Sequence, residues 1–177
     1  RLCKKLVGEG SDGIVLTGTT AESPNLTESD RLNIYSTAKD AVGDKSKLIA
    51  GTGTYSTKES IHFTKLAEEV GMDGIMIVTP YYNKPSQTGI LKHFESIKNT
   101  TELPIMAYNI PGRTGTLIEL ETIEKLIKDV GIHSIKDAVG NFDFSREELI
   151  RFKDDVFIYI DDEYKGCNVL SGGVVDN

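Results

Sequence analysis

Short apolar runs rich in isoleucine and valine recur along the chain and are separated by more polar stretches. Six of these runs have the length and continuity of strands that are buried on both faces of a parallel sheet. Their starts lie 24 to 35 residues apart. The predicted strands are Gly13–Thr17, Leu48–Thr52, Gly74–Thr79, Pro104–Asn109, Ile132–Asp137 and Val156–Asp161.

The segments between these runs have the apolar spacing of amphipathic helices. Good N-capping residues precede several of them, and glycines follow two. Because no linker or change of composition separates the units, residues 1–177 are predicted to form one domain. The predicted helices begin after Thr27, at Ser56 or Thr57, at Ser86, at Glu119 and at about Phe144, and the second, fourth and fifth end near Gly71, Gly131 and Lys153.

Small or polar residues follow every predicted strand at its carboxyl end, as at Gly51–Gly53 and Thr79–Tyr82. A barrel gathers the carboxyl ends of its strands at one mouth. An open doubly wound sheet concentrates its site at one switch point and usually has a glycine-rich phosphate turn. Neither GxGxxG nor GxxxxGK[ST] occurs in the sequence. The pattern therefore predicts an α/β fold of the (β/α)8 barrel type.

The charge and composition narrow the range of partners. The net charge is −7, with Lys and Arg scattered along the chain, whereas nucleic acids and anionic membranes bind basic faces. No apolar run is long enough to cross a bilayer. Cys3 and Cys167 form neither a metal-ligand spacing nor a disulfide framework. We therefore expect reduced thiols and a cytoplasmic location, and we interpret Asp161–Glu163 as a solvated loop rather than a metal cluster.

Lys136 stands in the motif Ser-Ile-Lys-Asp-Ala-Val-Gly, inside an otherwise apolar predicted strand. A buried amine is costly to keep charged, so more of it is present as the neutral nucleophile. Such an amine attacks ketones and forms a Schiff base. The residue pattern alone gives equal weight to two alternatives, in which Lys136 reaches out from a strand end or pairs with a carboxylate such as Asp137.

Two other strand ends carry groups that suit proton transfer and anion binding. Tyr108 has a phenol, which both donates and accepts a hydrogen bond, and Arg113 offers a planar fork that fits a carboxylate. Thr19 and Thr20 supply hydroxyls and backbone N–H groups beside a helix start, which suits a small anion. Taken as isolated features, these residues are explained more simply by a Pro-Gly turn with a solvated arginine and by two N-capping threonines.

The other aromatic candidates favour structural roles. Tyr81 and Tyr82 are adjacent in a loop, where neighbouring tyrosines more often pack at a subunit interface than react. His62 and His93 are predicted to lie within helices and His133 within a strand. Because the three histidines lack the spacing of a metal site, we expect surface or core roles for them.

Four motifs occur in order: GTTAESPNLT at Gly18–Thr27, VTPYYNKPSQTG at Val78–Gly89, YNIPGRTG at Tyr108–Gly115 and IKDAVG at Ile135–Gly140. Through these motifs the chain resembles the dihydrodipicolinate synthase family of pyruvate-dependent class I aldolases. The resemblance extends from about Leu6 to Asp155. It implies an incomplete (β/α)8 barrel that lacks the first strand and the C-terminal helical domain, and covers about strands 2 to 7 and the start of strand 8.

The resemblance also implies an activity, the condensation of pyruvate with L-aspartate 4-semialdehyde on the diaminopimelate route to lysine, with no cofactor. Lys136 matches the Schiff-base lysine, and Tyr108 matches the tyrosine that relays protons through Thr20 and a second tyrosine. Tyr82 matches the tyrosine that reaches the neighbouring subunit's site, which implies a homo-oligomer, typically a dimer of dimers. Thr19, beside Thr20, matches the group that holds the pyruvate carboxylate.

Arg113 matches the arginine that binds the carboxylate of the semialdehyde. N-acetylneuraminate lyase and its relatives usually lack an arginine at this point, so Arg113 favours the synthase within the superfamily. The alternatives are a sister aldolase, such as N-acetylneuraminate lyase or a 2-keto-3-deoxy sugar acid aldolase, and a non-catalytic barrel that binds carboxylates.

The resemblance is weaker in two places. Residues 159–177 depart from the family pattern, including the expected Ser-Gly-Asp-Asp turn. Glu59 and Tyr81 match members of an allosteric lysine site, whereas Tyr55 stands where the family usually has asparagine. Glu28 and Arg31 do not match the histidines of some lysine-sensitive members. Feedback inhibition by lysine is therefore left open.

Overall fold

The computed structural model describes residues 1–160 of the 177-residue chain. The acidic run Asp161–Glu163, Cys167 and most of the segment that departs from the family pattern lie outside the described residues.

Within residues 1–160, six parallel strands form one sheet in the sequential order β1 to β6. In a (β/α) barrel each strand pairs with the next along the chain, whereas a doubly wound sheet reverses direction at its switch point. The barrel-type order predicted from the sequence is confirmed. The strands are β1 (Gly13–Leu16), β2 (Lys47–Gly51), β3 (Gly74–Val78), β4 (Ile105–Asn109), β5 (Ser134–Asp137) and β6 (Phe157–Ile160).

Helices connect the strands, and the five helices predicted from the sequence begin at the predicted capping residue or within about two residues of it. A π-helical segment, Leu126–Val130, continues the helix Leu120–Lys125 up to Gly131. None of the helices in the part of the chain that the structure describes is long and apolar enough to span a membrane. The helices are α1 (Leu2–Gly8), α2 (Glu28–Val42), α3 (Thr57–Val70), α4 (Gln87–Lys98), α5 (Pro111–Thr114), α6 (Leu120–Lys125) and α7 (Phe142–Phe152).

Side-chain caps fix where four of these helices begin, and three of the caps are a threonine and two serines. Thr27 and Asp30 form a reciprocal capping box, in which Asp30 N donates to Thr27 Oγ1 at 3.2 Å and Thr27 N donates to Asp30 Oδ2 at 2.9 Å. Ser56 and Ser86 accept from backbone N–H groups in the first turns of α3 and α4. Each such cap contributes about 1 kcal/mol, so the starts of these helices are set locally.

Some predicted boundaries are wrong. His133 lies one residue before β5 and is exposed, so it is not within a strand. Helix α7 begins at Phe142 because the Asn141 side chain accepts from Phe144 N at 3.0 Å and acts as the N-cap. Helix α1 was not predicted, and it has no side-chain N-cap and no buried residue.

Successive residues of each strand face two different layers. Ile105 and Ala107 belong to the large core between the sheet and the helices, whereas Met106 and Tyr108 belong to a smaller cluster on the other, inner face. The period of two along a strand produces this division. The inner cluster also includes Met76, and partly buried side chains pack against it: Val15, Ile49, Val78, Ile110, Ala138 and Tyr159.

Two glycines allow a close approach at the carboxyl ends of β1 to β3. A Cβ atom at Gly51 would lie 2.6 Å from the carbonyl oxygen of Thr17, and one at Gly53 would lie 2.4 Å from the amide nitrogen of Val78. Both obstacles are backbone atoms, which cannot rotate away. Glycine at these positions therefore lets the strand ends and the loop after β1 come together.

Replacement of Gly53 by alanine is expected to lower the free energy of unfolding by about 2 kcal/mol or more, because the new methyl group forces backbone apart. Denaturant titration of the full-length protein measures this loss. Gly8→Ala is the matched control, since a Cβ at Gly8 meets no atom within 4 Å. Equal stability of the two variants would show that the sheet gives way at Gly53 without cost.

Candidate active site

β4 and β5 place a phenol and an amine side by side on the inner face of the sheet. Tyr108 is paired in register with Lys136, and Lys136 Nζ lies 4.4 Å from the centroid of the Tyr108 ring. Tyr108 is buried and Lys136 is half-buried. The next residue, Asp137, accepts from Val139 N at 2.8 Å and from the hydroxyl of Ser145 on α7. The amine thus faces the inner layer while Asp137 is held by groups on the helix side.

A cavity of about 240 Å³ opens beside this pair at the carboxyl ends of β1 to β4. Three of the residues predicted to be catalytic or substrate-binding, Thr19, Tyr108 and Arg113, line it. Within residues 1–160, the cavity lining does not include Thr20, Tyr82 or Lys136. Lys136 instead contacts Tyr108, which does line the cavity. The other lining residues are Thr17, Gly18, Ser23, Pro24, Gly51, Gly53, Met76, Val78, Tyr81, Ile110 and Thr114.

The loop after β1 forms one wall of the cavity and begins at a strained residue. Thr17 has φ = 55°, a left-handed conformation that is uncommon for a β-branched side chain. Its buried hydroxyl donates to Gly51 O at 3.0 Å and lies 3.1 Å from Tyr35 Oη. These contacts stabilise the backbone turn at Thr17, after which Thr19 lines the cavity. Backbone strain of this kind is common at functional sites.

Arg113, on the short helix α5, also lines the cavity. This arginine is exposed to solvent at the cavity mouth. Asn109, fully buried at the end of β4, donates from Nδ2 to Ile118 O and accepts from Ile118 N, both at 3.0 Å. Gln87 does the same on the neighbouring residues, donating to Leu117 O at 2.8 Å and accepting from Glu119 N at 3.2 Å. The two amides fix the end of the loop that carries the arginine.

Tyr81 and Tyr82 have different environments although they are adjacent. Tyr82 is 90% exposed, with φ = 67°. Tyr81 lines the cavity and packs edge-on against Tyr55 with 5.5 Å between ring centroids. Burial, together with the negative charge of Glu59, raises the pKa of Tyr81. The structure therefore brings Tyr81 and Glu59 together and leaves Tyr82 on the surface of the single chain.

Two buried charged residues near the site were not predicted to be buried. Arg31 is 3% exposed and Glu148 is fully buried. Burial, and then the charge of Asp137, raise the pKa of Glu148 to about 8. Helical spacing could have indicated their burial. Arg31 lies one turn before the buried Tyr35, and Glu148 lies one turn before the buried Phe152. From the sequence, no prediction was made about the burial of either residue.

The histidines within helices are held by other side chains. His62 Nε2 lies 2.7 Å from Glu28 Oε2 on the surface. His93 is buried, its Nδ1 lies 2.9 Å from the hydroxyl of Thr57, and burial lowers its pKa to about 4. Over residues 1–160, no three or more His, Cys, Asp and Glu side chains are grouped so that they could hold a metal ion.

Comparisons with known proteins agree on one family. Residues 1–176 match the dihydrodipicolinate synthetase family. The chain is 44% identical over 172 residues to the 4-hydroxy-tetrahydrodipicolinate synthase of Heliobacterium modesticaldum, covering 97% of the chain. It superimposes on a dihydrodipicolinate synthase crystal structure from Bacillus anthracis with a TM-score of 0.87 and 42% identity, covering 91% of this chain and 55% of that one.

A second solved structure is similar in fold, that of the chloride-inhibited dihydrodipicolinate synthase from Acinetobacter baumannii complexed with pyruvate. Its TM-score is 0.86 with 35% identity, over 90% of this chain and 56% of that one. The chain spans 57% of the length of the Heliobacterium relative.

Proposed function

This chain belongs to the dihydrodipicolinate synthetase family, and we propose that it carries the active site of a class I aldolase, a lyase that condenses pyruvate with L-aspartate 4-semialdehyde. The observation that carries the proposal is the position of Lys136 Nζ, 4.4 Å from the Tyr108 ring centroid beside a cavity lined by Thr19 and Arg113. An amine, a phenol and anion-binding groups are the parts that an enamine mechanism needs.

The first half of the reaction uses Lys136 as the nucleophile. Its neutral amine attacks the keto carbon of pyruvate, and Tyr108 donates a proton to the oxygen, which leaves as water and yields a Schiff base. Thr19, next to Thr20, holds the pyruvate carboxylate. The protonated imine then draws electrons from the methyl group, which loses a proton and gives the enamine.

In the second half, the enamine carbon attacks the aldehyde carbon of the semialdehyde, and the aldehyde oxygen takes up a proton. Arg113 pairs with the carboxylate of this substrate at the cavity mouth. The substrate's amine then displaces Lys136 from the imine carbon, which closes the ring and frees the lysine. Holding both substrates in reacting geometry removes much of the entropic barrier.

Proton relay and assembly depend on Tyr82. Thr20 links Tyr108 to the Tyr82 of a neighbouring subunit, and the active protein is a homo-oligomer, a dimer of dimers, in the cytoplasm. The 90% exposure of Tyr82 in the single chain supports this role, because an exposed aromatic ring is a typical subunit contact. Glu59 and Tyr81 match two positions of the family's lysine site, and the negative charge of Glu59 near Tyr81 suits a cationic ligand there.

The test is borohydride trapping in the full-length protein. Pyruvate is added, the imine is reduced, and the modified peptide is mapped by mass spectrometry. We expect a pyruvate adduct on Lys136. A folded protein without any adduct would contradict the Schiff-base mechanism and favour a carboxylate-binding barrel. An adduct on Lys136 with turnover of a different aldehyde would instead identify a sister aldolase.

A further inference from the structure

Arg31, on α2, is a cationic residue that lies almost wholly inside the protein, with 3% of its surface exposed. Its Nη1 donates to Gly51 O at 3.0 Å, and its Nη2 donates to both Ser23 O and Ser23 Oγ at 2.9 Å. The guanidinium carbon also lies 4.3 Å from the centroid of the Phe63 ring. The side chain therefore connects the loop after β1 to the end of β2.

Within residues 1–160, no carboxylate oxygen lies within salt-bridge distance of the Arg31 guanidinium. The Nε of Arg31 also has no hydrogen-bond partner there. A buried cation without a counter-ion is costly. A bound anionic ligand near the cavity would explain why a buried guanidinium is present at this position.

The groups that Arg31 contacts face the candidate site. Ser23 and Gly51 both line the 240 Å³ cavity. Ser23 Oγ accepts from Arg31, and no hydrogen bond in the described part of the chain uses its proton. A hydroxyl that accepts from a cation becomes a stronger donor. Arg31 therefore lies directly behind the cavity wall. Its positive charge polarises the Ser23 hydroxyl, which lines the cavity.

We propose that Arg31 is a positioning residue, which braces the loop Gly18–Leu26 through Ser23 and Gly51 and makes this wall of the cavity attractive to a carboxylate. It acts through these groups and does not touch the substrate. The part that concerns the carboxylate of pyruvate rests on the proposed function. The bracing of the loop does not.

The charge is tested by comparing pyruvate with methyl pyruvate, an uncharged ketone, in borohydride trapping. Arg31→Met removes the charge, and Arg31→Lys keeps it but loses the fork. In Arg31→Met we expect half-maximal adduct formation to need about tenfold more pyruvate, with methyl pyruvate and the maximal rate changed less than about twofold. Arg31→Lys should lie between. Equal losses for both ketones, or none for either, would overturn the electrostatic role.

The brace is tested by hydrogen exchange, which needs no substrate. Backbone amides of the loop, residues 18–26, should exchange about tenfold faster in Arg31→Met, while amides of α6 remain unchanged. Arg146→Met, an exposed arginine on α7, is the matched control. Unchanged exchange in the loop would overturn the brace. If the wild type forms no adduct with pyruvate, the proposed function fails, and the exchange result still decides whether Arg31 holds the loop.

Discussion

Replacement of Lys136 by arginine is expected to lower the rate of condensation by on the order of 10⁴-fold or more. Arginine keeps a positive charge over the Tyr108 ring, where Lys136 Nζ now lies 4.4 Å from the centroid. Its guanidinium is always protonated and offers no nucleophilic nitrogen. The variant therefore separates the covalent role of the amine from its charge. Steady-state turnover with pyruvate and the semialdehyde measures the loss.

Lys125→Arg, at an exposed position at the end of α6, is the matched control and should retain nearly full activity. Thermal melts of both variants show whether they fold equally well. Retention of more than about a tenth of the activity by the Lys136 variant would mean that another group is the nucleophile. In that case the position of Lys136 beside Tyr108 would serve packing alone.

The sheet could be predicted because each of its strands is a short, continuous apolar run. The observed ends of β2 and β3 lie one residue before the predicted ends, since Thr52 and Thr79 follow the last paired residues. The N-caps of α2 and α4 are single side chains whose effect is local, so Thr27 and Ser86 were identified directly. The start of α7 was predicted two residues late, because the capping hydrogen bond from Phe144 N to the Asn141 side chain is visible only in the structure.

Part of the cavity lining was predictable, because Thr19, Tyr108 and Arg113 combine a polar residue type with a position at or after a strand end. The neighbours of these residues were not predictable. Asn109 appears in the sequence only as one polar residue at a strand end, and its paired hydrogen bonds to Ile118 depend on how the following loop returns. Tertiary contacts of this kind have no local sequence signal, and the same holds for the strain at Thr17.

Buried charge was the hardest feature to predict. In α7 the buried stripe is Ser145, Glu148 and Phe152, at spacings of three and four residues. Two of these three residues are polar, so the apolar periodicity that normally indicates a buried face is interrupted. Arg31 begins the buried stripe of α2 in the same way. A sequence pattern describes the side chains on a face, whereas burial depends on what packs against that face.

Glu148→Gln is expected to stabilise the protein at alkaline pH and to have little effect at pH 5. Glu148 is fully buried, and neither carboxyl oxygen has a hydrogen-bond partner within residues 1–160. Burial and the charge of Asp137 raise its pKa from 4.5 to about 8. The folded protein therefore binds this proton more tightly than the unfolded chain does. The resulting contribution to stability is complete below pH 4.5 and is lost as the pH rises through about 8.

The rise in the pKa of Glu148, from 4.5 to about 8, sets how much stability is lost at alkaline pH. At about 1.4 kcal/mol per pH unit, it corresponds to at most about 5 kcal/mol. Glutamine keeps the shape of the protonated acid and does not ionise, so it escapes this loss. We expect Glu148→Gln to exceed the wild type by about 2–4 kcal/mol at pH 9, measured by denaturant titration across the pH range.

Glu147→Gln is the matched control, because Glu147 is on the adjacent surface of the same helix and accepts from Arg151 Nε at 2.8 Å. Loss of this surface ion pair should cost less than about 1 kcal/mol, with no gain at pH 9. A difference between wild type and Glu148→Gln that stays constant from pH 5 to pH 9 would show that the pKa of Glu148 is not raised by folding. A difference that grows with pH would establish a buried neutral acid behind the strand that carries Lys136.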